Sequence, residues 1–277
     1  MNKRSSLLQR FVAAPYTVWS ILFIVVPLIM VVYYTFTDSN AEFTLDNIYS
    51  LLEPDYVSIF VRSVAYSFIA TVVCLVIAFP LAYFISQSKP TTQKTAMMLI
   101  MLPMWTNLII RTFSLSNIIS DEGVINGLLE TIGLHIHMID SPFAVILGMV
   151  YNYLPFMTLP IYTIISKLDK NVIEAAQDLG CNKFMVITKI IMPLSKSGII
   201  SGITMVFVPA ISTFYISQKL GGTNSRLIGE EIEAAFMSSG DKNFGSAISL
   251  VLMILIMLSI AVMNKFSDDD EDGGMLM

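Results

Sequence analysis

The sequence predicts an all-α protein, a polytopic bundle of six membrane-spanning helices, and three features of the 277 residues carry that reading. Hydrophobic side chains make up 55% of the chain and charged ones only 13%, far from the balance of a soluble domain. The mean hydropathy is +0.72. The charges are also spaced so that uncharged runs fall at 11–37, 63–88, 141–166, 197–218 and 243–264, each long enough to cross a hydrocarbon core once. A shorter run, 95–110, becomes a full span if it continues through Arg111, with that side chain reaching toward the outer interface. The expected helices are therefore 16–36, 64–86, 96–116, 143–165, 197–217 and 244–263 within a transmembrane domain 16–265, with 1–15 as an N-terminal segment.

The first uncharged run exceeds a signal-peptide core of about 7–15 residues, so it reads as a retained anchor. Loop charges set the orientation. With both termini in the cytoplasm, Lys3, Arg4, Arg10, Lys89, Lys94, Lys167, Lys170, Lys183, Lys189, Lys196 and Lys265 face inward. Outside remain Arg62, Lys219, Arg226 and Lys242 beside thirteen acidic residues. The expected location is a cell membrane, crossed several times and surrounded by lipid. The acidic 266–277 segment, ending DDDEDGGMLM, reads as a solvated, disordered tail.

What the spans lack narrows the function. Every Asp and Glu falls in a loop or tail, which removes the usual groups for proton or ion coupling. The histidines, His135 and His137, sit in an outer loop, away from any intramembrane nucleophile, and no further ligands cluster about them. The chain has no phosphate-cradling G-x-x-x-x-G-K-[ST] loop. No basic patch suits nucleic acid. Cys74 in a span and Cys181 in a cytoplasmic loop are placed too differently to pair.

What the spans contain is proline and amphipathic side chains. Pro27, Pro80, Pro103, Pro155, Pro160 and Pro209 remove backbone donors and bend helices, either tuning packing or opening a cavity. The stretches LPMWTNLIIRTF and MVYNYLPFMTLPIY hold the most polar and aromatic groups. Trp105, Asn107, Tyr151, Asn152, Tyr153 and Phe156, with Tyr215 on the fifth span, are candidates to line a solute path; interhelical bonding and core packing are the competing readings.

Between the fourth and fifth spans lies KNVIEAAQDLGCNKFMVITKIIMPLSK. Asn171 and Glu174 have capping-box spacing, Ile173, Ala176 and Leu179 recur on one face, and Gly180 can end the helix. A second helix starts near Asn182, carries Phe184, Ile187 and Ile190/Ile191 on one face and ends at Pro193. Small residues Ala175 and Ala176 beside an acid suit a docking knob for a cytoplasmic partner. An amphipathic helix lying flat on anionic lipid remains open on spacing alone.

EAAQDLG, nine further residues and then the IIMP stretch match E-A-A-x3-G-x9-I-x-L-P on Glu174, Ala175, Ala176, Gly180, Ile190, Met192 and Pro193, with methionine where leucine is usual. In this the chain resembles ATP-binding-cassette importer permeases. LPMWTNLIIRTF, MPLSKSGIISG and FYISQKLGGTNSRLIGEEI are similar to the B-type permeases of spermidine/putrescine importers. The resemblance implies a type I importer permease fold whose 166–196 loop holds a coupling helix, with Glu174, Ala175, Ala176, Asp178, Gly180 and Pro193 engaging a cytoplasmic ATPase dimer. It also implies a non-hydrolytic subunit that binds no cofactor, ATP and magnesium being held by the ATPase. The implied partners are a second homologous permease and an extracytoplasmic polyamine-binding protein. Sulfate or a small organic cation, and an ATP-independent secondary transporter, are the alternatives.

Overall fold

The computed structural model describes residues 14–268 and contains no strand among them, only helices and one isolated bridge between Thr37 and Phe43. Residues 1–13 of the expected 1–15 segment and most of the acidic tail lie outside the described residues. Four helices are long and apolar enough to cross a membrane: α1 (Ala14–Thr35), then Pro54–Ser86, Pro142–Ile165 and Lys242–Lys265. Two bent pairs, Pro90–Trp105 with Leu108–Glu130 and Lys183–Leu194 with Lys196–Ile211, bring the number to six if each pair is one span.

The chain forms two compact units. One holds the residues up to Val57 and Glu231–Ile254. In it, α1 is followed by α2 (Asp46–Ser50), and the carbonyls left free at the end of α1 are met by two side-chain amides. Asn47 Nδ2 donates to the Thr35 and Thr37 carbonyls at 3.0 Å each. Asn243 Nδ2 donates to the Tyr34 and Asp38 carbonyls at 3.2 and 3.3 Å.

The other unit holds Ser58–Glu230 and the chain from Leu255 onward. Its elements, in order, are most of α3 (Pro54–Ser86), α4 (Pro90–Met101), α5 (Leu108–Ile119), α6 (Val124–Glu130), α7 (Pro142–Ile165), α8 (Lys170–Asp178), α9 (Lys183–Leu194), α10 (Lys196–Ile211), α11 (Tyr215–Leu220) and the first residues, up to Glu230, of α12 (Ile228–Ala234). The last helix, α13 (Lys242–Asp268), runs beyond the expected 244–263. Likewise α3, at 33 residues, starts at Pro54 rather than 64 and is about 50 Å long, so part of it projects past a hydrocarbon core of about 30 Å.

The core of this unit is built on α7, whose Ala144, Val145, Met149, Tyr153, Met157, Ile161 and Ile165 are buried along one side. Ser67, Ala70, Cys74, Ala78 and Ala82 give α3 a buried stripe of small residues, and Cys74 Sγ approaches the Val150 carbonyl of α7 at 3.9 Å. Along α10, Gly198 and Gly202 recur four apart and lie against Pro160, Ile164 and Met157 of α7. Small residues at that spacing let two backbones meet in a setting where lipid supplies no hydrophobic drive between helices.

Two expected spans are not single helices. The third breaks at Thr106 and Asn107 with a 97° bend, because a 3₁₀ turn over Leu102–Trp105 carries Pro103 and Asn107 starts a new helix. The fifth ends at Ile211, not at 217. Thr213 and Phe214 are non-helical, and Tyr215 opens the separate α11. Arg111, expected to reach an interface, is buried with 8% of its surface exposed. The bend places it one turn inside α5 beside the buried Thr112, and its Nε and Nη1 have no hydrogen-bond partner among the described residues.

A Cβ at Gly198 would lie 2.9 Å from the Pro160 carbonyl oxygen, whereas one at Gly127 would meet nothing within 4 Å. Gly198→Ala is expected to destabilise the protein by about 1–3 kcal/mol. Gly127→Ala is expected to stabilise it by about 0.5–1 kcal/mol. Thermal unfolding in detergent should place the two variants on opposite sides of the parent.

Candidate functional site

Two constellations carry chemistry-bearing side chains. The first is the helical hairpin α8–α9 between α7 and α10. Its start differs from the capping box read from the sequence: Asp169 is the cap, and its Oδ1 accepts from the Asn171 amide at 3.0 Å. An Asx residue at the N-cap satisfies a donor that the first helical turn leaves free. At the other end Gly180 has φ +87°, as its expected stop requires, and Asn182 caps α9 by accepting from the Met185 amide at 2.8 Å. A π turn spans Ile187–Ile191, and Pro193 sits within α9, so the chain turns at Ser195 rather than at the proline.

The faces of the hairpin also differ from the expected ones. Ala176 is buried and Ile173 half-buried, but Leu179 is 87% exposed. On α9 the buried residues are Val186 and Ile191, while Phe184 is 73% exposed rather than sharing the inner face with Ile187. Of the two alanines, only Ala175 faces outward with Glu174, Asp178 and Gly180. The i, i+3 pattern holds from Ile173 to Ala176 and fails at Leu179, because that residue is already the C-cap of α8 and has left helical geometry. The hairpin thus presents acids together with large apolar side chains that no side chain among the described residues covers. It is fixed underneath: Ala176, Val186 and Ile191 belong to the same buried cluster as Ile161 and Ile165 of α7.

The second constellation is the polar seam around the α5 break. Asn107 Oδ1 accepts from the Ile109 amide at 2.8 Å, so this side chain caps α5. Trp105 just before it is 81% exposed, and Tyr151 is also exposed. Asn152 is buried, and its Nδ2 donates to the Gly148 carbonyl at 2.9 Å and to Thr112 Oγ1 at 3.3 Å, tying α7 to α5. Its Oδ1 has no partner. Tyr153 is buried too; its hydroxyl donates to the Pro209 carbonyl at 3.3 Å, near the end of α10. Its ring meets Phe156 edge-on, with centroids 6.4 Å apart. Tyr215 is half-buried at the first position of α11. The seven path candidates therefore divide: Asn152 and Tyr153 join helices, Phe156 is half-buried against Tyr153 on the same helix, Tyr215 starts a helix, and Trp105, Asn107 and Tyr151 face outward. Sequence reasoning missed Thr112 as the partner of Asn152, although its hydroxyl beside Arg111 in an apolar run was the available signal.

Elsewhere, His137 Nδ1 lies 2.9 Å from both carboxylate oxygens of Asp121. Among the described residues no group of three or more His, Cys, Asp or Glu side chains is arranged for a metal ion.

Comparison with known proteins agrees with this architecture. The profile of the family described as binding-protein-dependent transport system inner membrane component matches residues 2–270. The chain belongs to this family. It is 36% identical over 269 residues, 94% of either chain, to the spermidine/putrescine transport system permease protein PotB of Salmonella typhimurium. It is 38% identical over 253 residues, covering 88% of this chain and 92% of the other, to PotB of Escherichia coli. The fold is also that of a chain in the crystal structure of a bacterial ABC transporter involved in the import of the acidic polysaccharide alginate, with a TM-score of 0.78 at 17% identity over 96% of each chain. The family's members are inner-membrane permease components, which accounts for the several apolar helices and makes the chain part of a transport system.

Removing the cap of α8 isolates the contribution of the hairpin's own start. Asp169→Ala is expected to cost about 1 kcal/mol, which speeds amide exchange in the first turn of α8 about fivefold while exchange in α7 stays unchanged. Hydrogen exchange by mass spectrometry checks both.

Proposed function

We propose that the chain is the permease subunit through which an ATP-driven importer passes a polyamine, spermidine or putrescine. The single observation that carries this is identity of 36–38% over about nine-tenths of the chain to permeases named for those substrates. In this reading the subunit does no hydrolysis. A cytoplasmic ATPase dimer holds ATP and its magnesium, a second homologous permease completes the path, and an extracytoplasmic polyamine-binding protein delivers the solute. Both termini and the α8–α9 hairpin face the cytoplasm, as the excess of lysine and arginine in those loops favours.

The hairpin is then the coupling element, with Glu174, Ala175, Asp178, Gly180 and Pro193 at its surface and Ala176 fixing it from within. Leu179 and Phe184 supply what a protein partner needs, large apolar side chains without cover, and carboxylates at the rim add complementarity. A push on that face reaches α7 because Ala176, Val186 and Ile191 belong to the same buried cluster as Ile161 and Ile165, and close-packed interiors transmit displacement. The turn at Ser195 and the α5 break at Asn107 are where spans can change direction without breaking regular hydrogen bonds. Trp105, Tyr151 and Tyr215, with Asn107, Asn152, Tyr153 and Phe156 around them, offer ring faces and amide oxygens to an ammonium ion along the path. Arg111, an uncompensated buried cation, repels such a solute and keeps it from resting there.

Reconstitution with the ATPase, second permease and binding protein should give accumulation of radiolabelled spermidine that requires ATP and survives an ionophore. Leu179→Glu is expected to reduce uptake at least tenfold, matching about 1.4 kcal/mol or more lost at a docking contact, with the permease still in the membrane. Accumulation of sulfate instead, or ionophore-sensitive uptake without ATP, would refute the reading.

A further inference from the structure

We propose that a cavity between Tyr56, Glu231, Asp241 and Phe244 is a binding site for an organic ammonium group, a docking place for one end of a polyamine that shares no residue with the candidate path. This rests on the polyamine reading above. The cavity has a volume of about 330 Å³ and is lined by Tyr56, Glu231, Ala234, Ala235, Ser238, Ser239, Asp241 and Phe244. That size is within the range of pockets that hold small molecules.

Its walls combine the three things an ammonium ion requires. The first is ring faces. Tyr56 and Phe244 meet edge-on with centroids 4.9 Å apart, so two rings at a steep angle form a corner. A cation is attracted to the negative face of an aromatic ring, more strongly where water is shielded away. The second is negative charge: Glu231 and Asp241 line the cavity, and Glu53 and Asp55 also stand close enough for their charges to act on the Tyr56 hydroxyl. The third is neutral acceptors. Ser239 Oγ donates to the Ala235 carbonyl at 3.0 Å, which turns its lone pairs outward from that bond.

The backbone builds this arrangement. Ala235–Ser239 is a π turn that ends at Gly240 in the left-handed region, φ +69°, so the chain reverses sharply into α13. Gly245 sits so close to that turn that a Cβ there would be 3.0 Å from Ala235 Cβ, which brings Phe244 up to the serines. Asp241 Oδ1 accepts from the Phe244 amide at 3.0 Å and fixes the start of the helix.

Other ligand classes fit worse. An anion would meet carboxylates on several sides. A divalent metal needs clustered ligands, and among the described residues none are so arranged. An inorganic monovalent cation would have no use for the paired rings. A polyamine terminus uses all three elements, its ammonium on the acids and serines and its methylene chain along the rings.

The test uses the complete complex in nanodiscs, without the binding protein, carrying Tyr56→Trp and read as the difference from the unsubstituted complex, so that the signal of Trp19 and Trp105 cancels and the added indole reports from the cavity. Spermidine titration should give a saturable change, and adding Glu231→Gln with Asp241→Asn should raise its midpoint about tenfold. The Asn at 241 can still accept from the Phe244 amide, so the helix start is retained; coincident thermal melts check this. No saturable change, or an unaltered midpoint in the charge-neutralised variant, would overturn the proposal. Radiolabelled uptake by the unsubstituted complex separates the two readings. Failure to import any polyamine refutes the substrate, whereas normal import beside a silent Tyr56→Trp indole refutes the cavity alone.

Discussion

Everything in this structure depends on one constraint: a chain placed in hydrocarbon must satisfy its backbone donors and acceptors from within, since each one left bare costs several kcal/mol. Unbroken helices do so automatically. Where a helix breaks, a side chain can take over, and three of the breaks here are placed at such side chains, whereas the starts of α10 and α11 carry no side-chain cap. Asn107 supplies an acceptor at the 97° bend, Asp169 and Asn182 cap the two arms of the hairpin, and the amides of Asn47 and Asn243 close the end of α1. The Tyr153 hydroxyl, likewise, meets a carbonyl in the last turn of α10.

The breaks give the permease its parts. A bundle of uninterrupted helices offers few places for spans to change angle, while one with capped interruptions can pivot there at little cost in hydrogen bonds. In the larger unit, α7 is the fixed element: α3 meets it through small residues, α10 through Gly198 and Gly202, and α5 through the Asn152–Thr112 bond. The hairpin is fastened to this same core by Ala176, Val186 and Ile191, yet its outer face carries uncovered Leu179 and Phe184. Firm below and apolar above is what an element needs if it is to pass on a displacement from a subunit outside the bilayer.

Much of this was legible in the sequence. The membrane class and span positions follow from charge spacing, because a fixed charge in hydrocarbon is expensive at any point of any fold. Gly180 and Asn182 were readable because positive φ and N-capping are local demands. The bends were not. Pro103 signals a break without stating whether the chain kinks slightly or turns through a right angle, and hydropathy cannot see that Asn107 caps a new helix. Arg111 was misread for the same reason: on a straight third span it reaches an interface, and on a bent one it is buried beside Thr112. Leu179 and Phe184 were assigned to the wrong face because helical periodicity was extended through residues that end one helix and begin another. The cavity of Tyr56 and Phe244 joins residues far apart in the chain, and no spacing rule reaches that distance.

The central claim is that the α8–α9 hairpin is seated in a cytoplasmic ATPase subunit. A photoreactive amino acid at Leu179, activated in the assembled transporter, measures this directly. The account predicts that the cross-link goes to the ATPase, and that a probe at Tyr151, in the membrane-spanning α7, does not reach it. A Leu179 probe that labels only lipid, or only an extracytoplasmic protein, would contradict the account.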